Sequence, residues 1–143
     1  MQVSNLARIL GEKGTGRDNP VSRLSLMELG EKGLTKDAVL RLAKHLGLSM
    51  RQMAGMLPVT ERTLQRYGRN HRFNRAISEQ VLQIAEVAAR GEEVFGVRER
   101  FLSWMNSPSP ALGNRTPTSL LGSRFGTEMV LDELGRMEHG VVS

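Results

Sequence analysis

The chain has 143 residues, a formal net charge of +5, no cysteine, and only four Phe, one Trp and one Tyr. That length fits one domain or two very small ones, and a core poor in aromatic residues suits packed helices better than a sheet. The lack of cysteine excludes a disulfide framework, a thiol nucleophile and a thiolate metal site. No stretch approaches about 20 apolar residues and the start is too polar for a signal peptide, so we expect a cytoplasmic protein with no membrane partner.

The charge is divided unevenly along the chain. Residues 1–75 hold 14 Lys and Arg against 6 Asp and Glu, whereas residues 76–143 hold 6 against 9. A basic segment attracts polyanions such as nucleic acid, and an acidic one does not. The division therefore favours two partners of different chemistry.

Residues 1–20 contain three glycines and Pro20 with little periodicity, which predicts a flexible leader. From Ser22 onward apolar residues recur at helical spacing, and each helix is expected to stop at a glycine or proline: Gly33, Gly47, Pro58, Gly68 and Gly91. Thr35 is suited to cap one helix, and Ser49 with Gln52 fits a capping box that starts another at Met50. The pattern predicts five or six short helices and no strand.

Residues 49–67 have the pattern of a helix-turn-helix. Ala54 is small enough for a close helix crossing, and the space between the helices would be filled by Met53, Leu57, Val59 and Leu64. Thr60 is placed to cap the second helix, and Pro58 in the turn restricts the angle between the two. The predicted DNA-binding residues are Thr60, Glu61, Arg62, Thr63, Gln65, Arg66 and Arg69. The alternative is a pair of small helices with a solvated basic face.

Further helices follow this pair. Ser78 is suited to cap the longest one, which is expected to end at Gly91, and a shorter one is marked by Val97, Phe101 and Trp104. Two prolines between residues 106 and 110 then interrupt the pattern. Residues 106–143 form a loop, two short helices and a tail, too small to fold without packing on residues 97–104 or on a partner.

The C-terminal segment resembles the toxin-binding domain of Xre/MbcA/ParS antitoxins. The resemblance rests on PALG at residues 110–113, TP at 116–117, LL at 120–121 and RMEHG at 136–140, and it departs at 114–115, where the family has Gly-Gly or Gly-Lys. It implies an all-α chain in which a helix-turn-helix DNA-binding domain is followed by a small helical toxin-binding domain. The corresponding division is a leader at 1–20, a helix-turn-helix domain at 21–75, connecting helices at 76–105 and a toxin-binding domain at 106–143.

The same resemblance implies a function for the tail. Family members neutralise RES-type toxins, which consume NAD⁺, and the implied toxin-binding residues are Arg136, Glu138, His139, Val141, Val142 and Ser143. A tail of this kind would occlude the toxin's active site. For His139 a second interpretation stays open, in which it faces the negative end of a helix dipole.

Catalysis is not indicated by the sequence. The three histidines, at positions 45, 71 and 139, fall in three different elements, and no carboxylate cluster accompanies a base, so we expect no catalytic residues, metal or cofactor. The leading expectation is an antitoxin that binds its toxin and, as a homodimer forming a higher-order complex with that toxin, binds double-stranded operator DNA to regulate its own operon. The alternatives are a stand-alone helix-turn-helix repressor and an interaction scaffold.

Overall fold

The computed structural model describes residues 3–11 and 23–140. In chain order the helices are α1 (Val3–Leu10), α2 (Arg23–Lys32), α3 (Lys36–His45), α4 (Met50–Gly55), α5 (Glu61–Arg66), α6 (Arg75–Phe95), α7 (Arg98–Met105) and α8 (Arg124–Glu138), with 3-10 turns at Pro110–Leu112 and Pro117–Leu120. In these residues the only β pairing consists of two isolated bridges, Thr35 with Arg72 and Ser109 with Arg115. The predicted all-α class is confirmed.

The expectation of a flexible leader is wrong for residues 3–11. Leu6, Ile9 and Leu10 are buried on one face of α1, which packs against α3 and α6. A single short helix is marginal in water, so it is this burial that holds α1 in place rather than its own helix propensity. Residues 12–20 of the expected leader lie outside the described part of the chain.

Local capping follows the sequence closely. The Thr35 hydroxyl accepts from the Ala38 amide, and Ser49 and Gln52 form the full capping box at the start of α4. Gly33 and Gly47 follow the ends of α2 and α3 with φ of +90° and +68°. These predictions are confirmed because the groups that make each cap lie within one turn of each other.

Both predicted ends of the longest helix are wrong. The cap of α6 is Asn74, whose side chain accepts from the Ile77 amide, while Ser78 is fully buried and accepts from the Leu34 amide. The helix also runs past Gly91 and ends at Gly96, whose φ is +77°. Gly91 is needed for packing instead: a Cβ there would lie 2.0 Å from Cε1 of Phe101.

α6 lies at the centre of the molecule. Its buried residues occupy a broad face of the helix, whereas Ala76, Glu79 and Gln83 lie on a remaining strip that lines an open groove. The helices α1, α2 and α3 pack against it, and so do α7 and α8. Residues 106–140 pack mainly through α8, which is 15 residues long rather than short. Two of the three residues expected beneath this segment differ from each other: Phe101 is buried, whereas Val97 is 49% exposed.

Candidate functional site

The predicted pair α4 and α5 has the expected interior. Met53, Ala54, Leu57 and Leu64 are buried between the helices, and Val59 packs against them while partly exposed. The Thr60 side chain accepts from the Thr63 amide at 3.1 Å, so α5 begins where predicted. Pro58 is exposed in the turn between the two helices.

The seven predicted DNA-binding residues lie on α5 and its two ends. Arg62, Gln65 and Arg66 are exposed on the helix, and Arg69 is exposed just beyond it. Thr60 and Thr63 hydrogen-bond to each other through their hydroxyls at 2.9 Å, so part of their capacity is used by the helix cap. Glu61 is half-buried in the first turn. The long side chains of α5 are thus free to reach base edges or phosphates.

Lys36 anchors the end of α5 and was not found by sequence reasoning. Its ammonium donates to the carbonyls of Gln65 at 3.2 Å and Tyr67 at 2.7 Å, and the residue is 7% exposed. The last carbonyls of a helix lack partners within the helix and carry partial negative charge, which a lysine satisfies. Nothing near Lys36 in the sequence indicates this role, because its partners lie about 30 residues away.

Arg69 is held by an acidic partner. Its guanidinium lies 3.2 Å from a carboxylate oxygen of Asp37, and Arg41 donates to the other oxygen at 2.9 Å. The Arg41 hydrogen bond is the main reason that the pKa of Asp37 lies below its usual value, and Arg69 adds to it. Arg69 is therefore oriented beside α5 before any partner arrives.

At the other end of the chain, three of the predicted toxin-binding residues lie together. Arg136 pairs with the buried Glu133 at 2.6 Å, while Glu138 and His139 are exposed where α8 ends. His139 caps the helix through its backbone amide, which donates to Gly135. The remaining three, Val141, Val142 and Ser143, lie outside the described residues.

The departure from the family pattern at residues 114–115 has a local explanation. Asn114 adopts φ of +63°, in the left-handed region, directly after Gly113 at +69°. Asparagine tolerates this conformation better than most residues. The left-handed backbone at residue 114 is one that glycine also adopts readily, and both Asn114 and Arg115 are exposed.

Two further properties of the described residues concern metal ions and membranes. The described part of the chain holds no group of three or more His, Cys, Asp or Glu side chains placed to bind a metal ion. Among residues 3–11 and 23–140, no helix is both long and apolar enough to cross a membrane.

Comparison with solved structures supports this architecture. A chain in the crystal structure of the M. tuberculosis MbcT–MbcA toxin–antitoxin complex superposes with a TM-score of 0.59, covering 76% of this chain and 96% of that one. Its sequence identity is 24%, so the likeness concerns the fold.

Similar sequences are antitoxins. An Antitoxin Xre of Yersinia enterocolitica (serotype O:8 / biotype 1B) is 37% identical over 73 residues, and one of Photorhabdus laumondii is 32% identical over 73. The matched segment spans about half the length of each of these curated relatives (49%). A Prs ADP-ribosylating antitoxin of Sphingobium sp. (strain YBL2) is 25% identical over 138 residues, which cover 90% of this chain and 85% of that protein.

Two family models divide the chain between them. The antitoxin Xre-like helix-turn-helix domain matches residues 25–86, and the antitoxin Xre/MbcA/ParS C-terminal toxin-binding domain matches residues 90–140. The two matches follow each other in the order expected from the sequence and meet within α6. The chain belongs to the Xre/MbcA/ParS family of antitoxins.

Proposed function

We propose that this protein neutralises a cognate toxin by binding it and represses its own operon by binding DNA. The observation that carries the proposal is the presence of two separate surfaces on one fold. One is the exposed basic face of α5, and the other is the end of α8 in the segment that matches a toxin-binding domain. The proposed action is binding rather than catalysis, because among residues 3–11 and 23–140 neither surface groups a nucleophile with a base. We further propose that the protein acts in the cytoplasm, where its DNA partner lies.

The proposed toxin is of the RES type and consumes NAD⁺. The Sphingobium relative has ADP-ribosylation in its name, a chemistry whose usual donor is NAD⁺. Arg136, Glu138 and His139 lie in the last turn of α8 and directly after it, and we propose that they enter the toxin's active site together with residues 141–143. The carboxylate of Glu138 can occupy a position suited to a phosphate of the dinucleotide and so exclude NAD⁺.

Deletion of residues 139–143 tests the toxin part of the proposal. This deletion keeps α8 and the Arg136–Glu133 pair, whereas removing residues 136–143 would leave the buried Glu133 without Arg136. We expect the shortened chain to lose protection against the product of the adjacent gene, followed as cell growth and NAD⁺ level, while it still binds DNA. Full protection by the shortened chain would contradict the proposal. If the wild-type chain binds DNA but does not bind the product of the adjacent gene, the protein is a stand-alone repressor.

The proposed DNA complex contains a homodimer on two half-sites, joined with toxin in a larger assembly. One recognition helix buries little surface, and two raise the affinity for a palindromic operator. Replacing Arg66 with Ala should weaken duplex binding and lower the slope of log affinity against log salt concentration by about 1 for each half-site, or about 2 for the dimer. Arg115→Ala removes an equally exposed arginine from the C-terminal segment and should leave that slope unchanged.

A further inference from the structure

The large apolar side chains exposed on this protein are concentrated on two helices. Within the described residues, five such side chains are exposed, and four of them lie on α2 (Leu24, Met27) and α8 (Phe125, Met129). These two helices and α6 enclose an open groove of about 900 Å³. Phe125 is 81% exposed and Met129 is 44% exposed. Of these four side chains only Met27 lines the groove, whereas Phe125 and Met129 lie one turn apart on α8 and form an exposed apolar pair outside it. Such an exposed pair is suited to burial by a partner.

The outer face of α8 joins the exposed pair Phe125 and Met129 to the charged end of the same helix. Phe125, Met129, Asp132 and Arg136 follow one another at intervals of four, three and four residues, so they share one face of the helix, and all four are exposed. The first half of the face is apolar and the second half is charged. Helical rise places Arg136 about 16 Å beyond Phe125.

Charge in the groove is balanced within the protein itself. Arg124 lies 3.2 Å from Glu128, and burial raises the pKa of Glu86 against the opposing effect of Arg90 and Arg23. The lining holds three arginines and three glutamates. The groove lining is therefore close to neutral, and Phe125 and Met129 lie on a different face of α8 from its lining residues Arg124 and Glu128. A partner on that outer face gains affinity from burial of the two apolar side chains.

We propose that Phe125 and Met129 form an anchor that docks the toxin on the outer face of α8, separate from the tail that blocks the toxin's active site. This inference rests on the proposed function. The toxin is favoured over a second copy of this chain for two reasons. The anchor lies within residues 90–140, which match a toxin-binding domain, and its helix face continues directly to Arg136 and the tail.

Loss of the anchor and loss of the tail should have different effects on toxin affinity and on toxin inhibition. A buried aromatic anchor supplies affinity, whereas a tail in the active site supplies inhibition. Loss of the anchor therefore weakens the complex but leaves inhibition attainable at excess antitoxin. Loss of the tail leaves the complex in place with an active toxin.

The test uses the full-length chain and the purified product of the adjacent gene. Phe125→Glu is compared with Val97→Glu, which places the same charge on an exposed apolar residue beyond the far end of α6. Phe125 is largely exposed and lies in the first turn of α8, where a negative charge is tolerated, so Phe125→Glu should stay folded. Three quantities are measured. Calorimetry gives the affinity for toxin, an assay at saturating antitoxin gives the residual NAD⁺ consumption, and light scattering gives the mass of the free chain.

We expect Phe125→Glu to raise the dissociation constant for toxin by about tenfold or more, with full inhibition at saturation. Phe125→Leu should have a smaller effect, and the chain lacking residues 139–143 should bind without inhibiting. Equal affinities of Phe125→Glu and Val97→Glu would overturn the anchor. So would a halved mass of free Phe125→Glu with unchanged toxin affinity, because a second copy would then cover this face. A wild-type chain that binds no toxin contradicts the proposed function and the anchor together.

Discussion

Gly91 is a position where a single methyl group decides how two helices pack. A Cβ at this residue would meet the Phe101 ring at 2.0 to 2.7 Å, well inside any real carbon–carbon contact. Because Phe101 is fully buried, its ring cannot move aside freely. We predict that Gly91→Ala destabilises the protein by about 1–3 kcal/mol, measured as a lower denaturation midpoint. Gly55→Ala is the matched control, since no atom lies within 4 Å of its Cβ, and it should be neutral or slightly stabilising. Equal effects of the two substitutions would refute the packing argument.

His45 links stability to pH. Burial is the main cause that lowers its pKa below 6.5; Glu92, 2.8 Å from Nε2, opposes this, while Arg98 and Arg8 reinforce it. Since the unfolded chain then holds the proton more tightly, the folded state is favoured above pH 6.5 and loses that advantage as the pH falls toward the lowered value.

We therefore predict a melting temperature that falls as the pH is lowered below about 6.5, and a flatter dependence for His45→Gln. The lowered pKa of Asp37 acts at pH values below its usual 3.8. The raised pKa of Glu86 acts in the opposite sense to His45, because a carboxyl that holds its proton more tightly in the folded state adds stability as the pH falls. His71→Gln, a substitution at another partly buried histidine, serves as the control. A profile that His45→Gln leaves unchanged would show that another group is responsible.

At the level of the element, α5 is short and depends on its neighbours. It has six residues, so about two thirds of its backbone groups lack partners within the helix, and the cap at Thr60 and the ammonium of Lys36 hold its two ends. We predict that Lys36→Met costs about 1.5–3 kcal/mol of stability and weakens duplex DNA binding, although Lys36 is buried behind the binding face. Lys44 is an exposed lysine on α3, the helix that also carries Lys36, and Lys44→Met should change stability little. The prediction fails if hydrogen exchange of the α5 amides is the same in both variants.

The elements that the sequence predicts well are those defined within one turn of chain. Thr35, Ser49 and Thr60 each accept from an amide three residues later, so the residue types alone identify the cap. Ser78 misleads because it has the right chemistry for a cap but is buried beneath Leu34, 44 residues away. Gly91 misleads for a similar reason, since its neighbour Phe101 belongs to the next helix.

The residues of the candidate site also fall into those that the sequence predicts and those that it does not. The exposed arginines of α5 follow from helical spacing, whereas Lys36 and Phe125 do not. Lys36 acts on carbonyls about 30 residues away, and the exposure of Phe125 depends on which side of α8 faces α6. Neither property is encoded in the neighbouring sequence, and both require the packed molecule.

At the scale of the whole molecule, the two family segments share one core. Residues 25–86 and 90–140 meet inside α6, and the buried side chains of α6 face both groups of helices. Two hydrogen bonds tie the C-terminal segment to this helix, from Gln80 to Leu121 at 2.8 Å and from Arg90 to Leu131 at 3.5 Å. Neither segment can bury its apolar surface without the other.

We therefore predict that the protein unfolds in one cooperative transition and that damage in the toxin-binding half reaches the helix-turn-helix. Leu134→Ala, at a fully buried residue of α8, should cost about 2–5 kcal/mol and lower the melting temperature of the whole chain. Hydrogen exchange of amides in α4 and α5 should accelerate together with those of α8, because both open in the same global event. Asp132→Ala, at an exposed residue of α8, should change neither. Two separate calorimetric transitions, with α4 and α5 unaffected by Leu134→Ala, would instead mean that the two halves fold independently and that α6 is a linker.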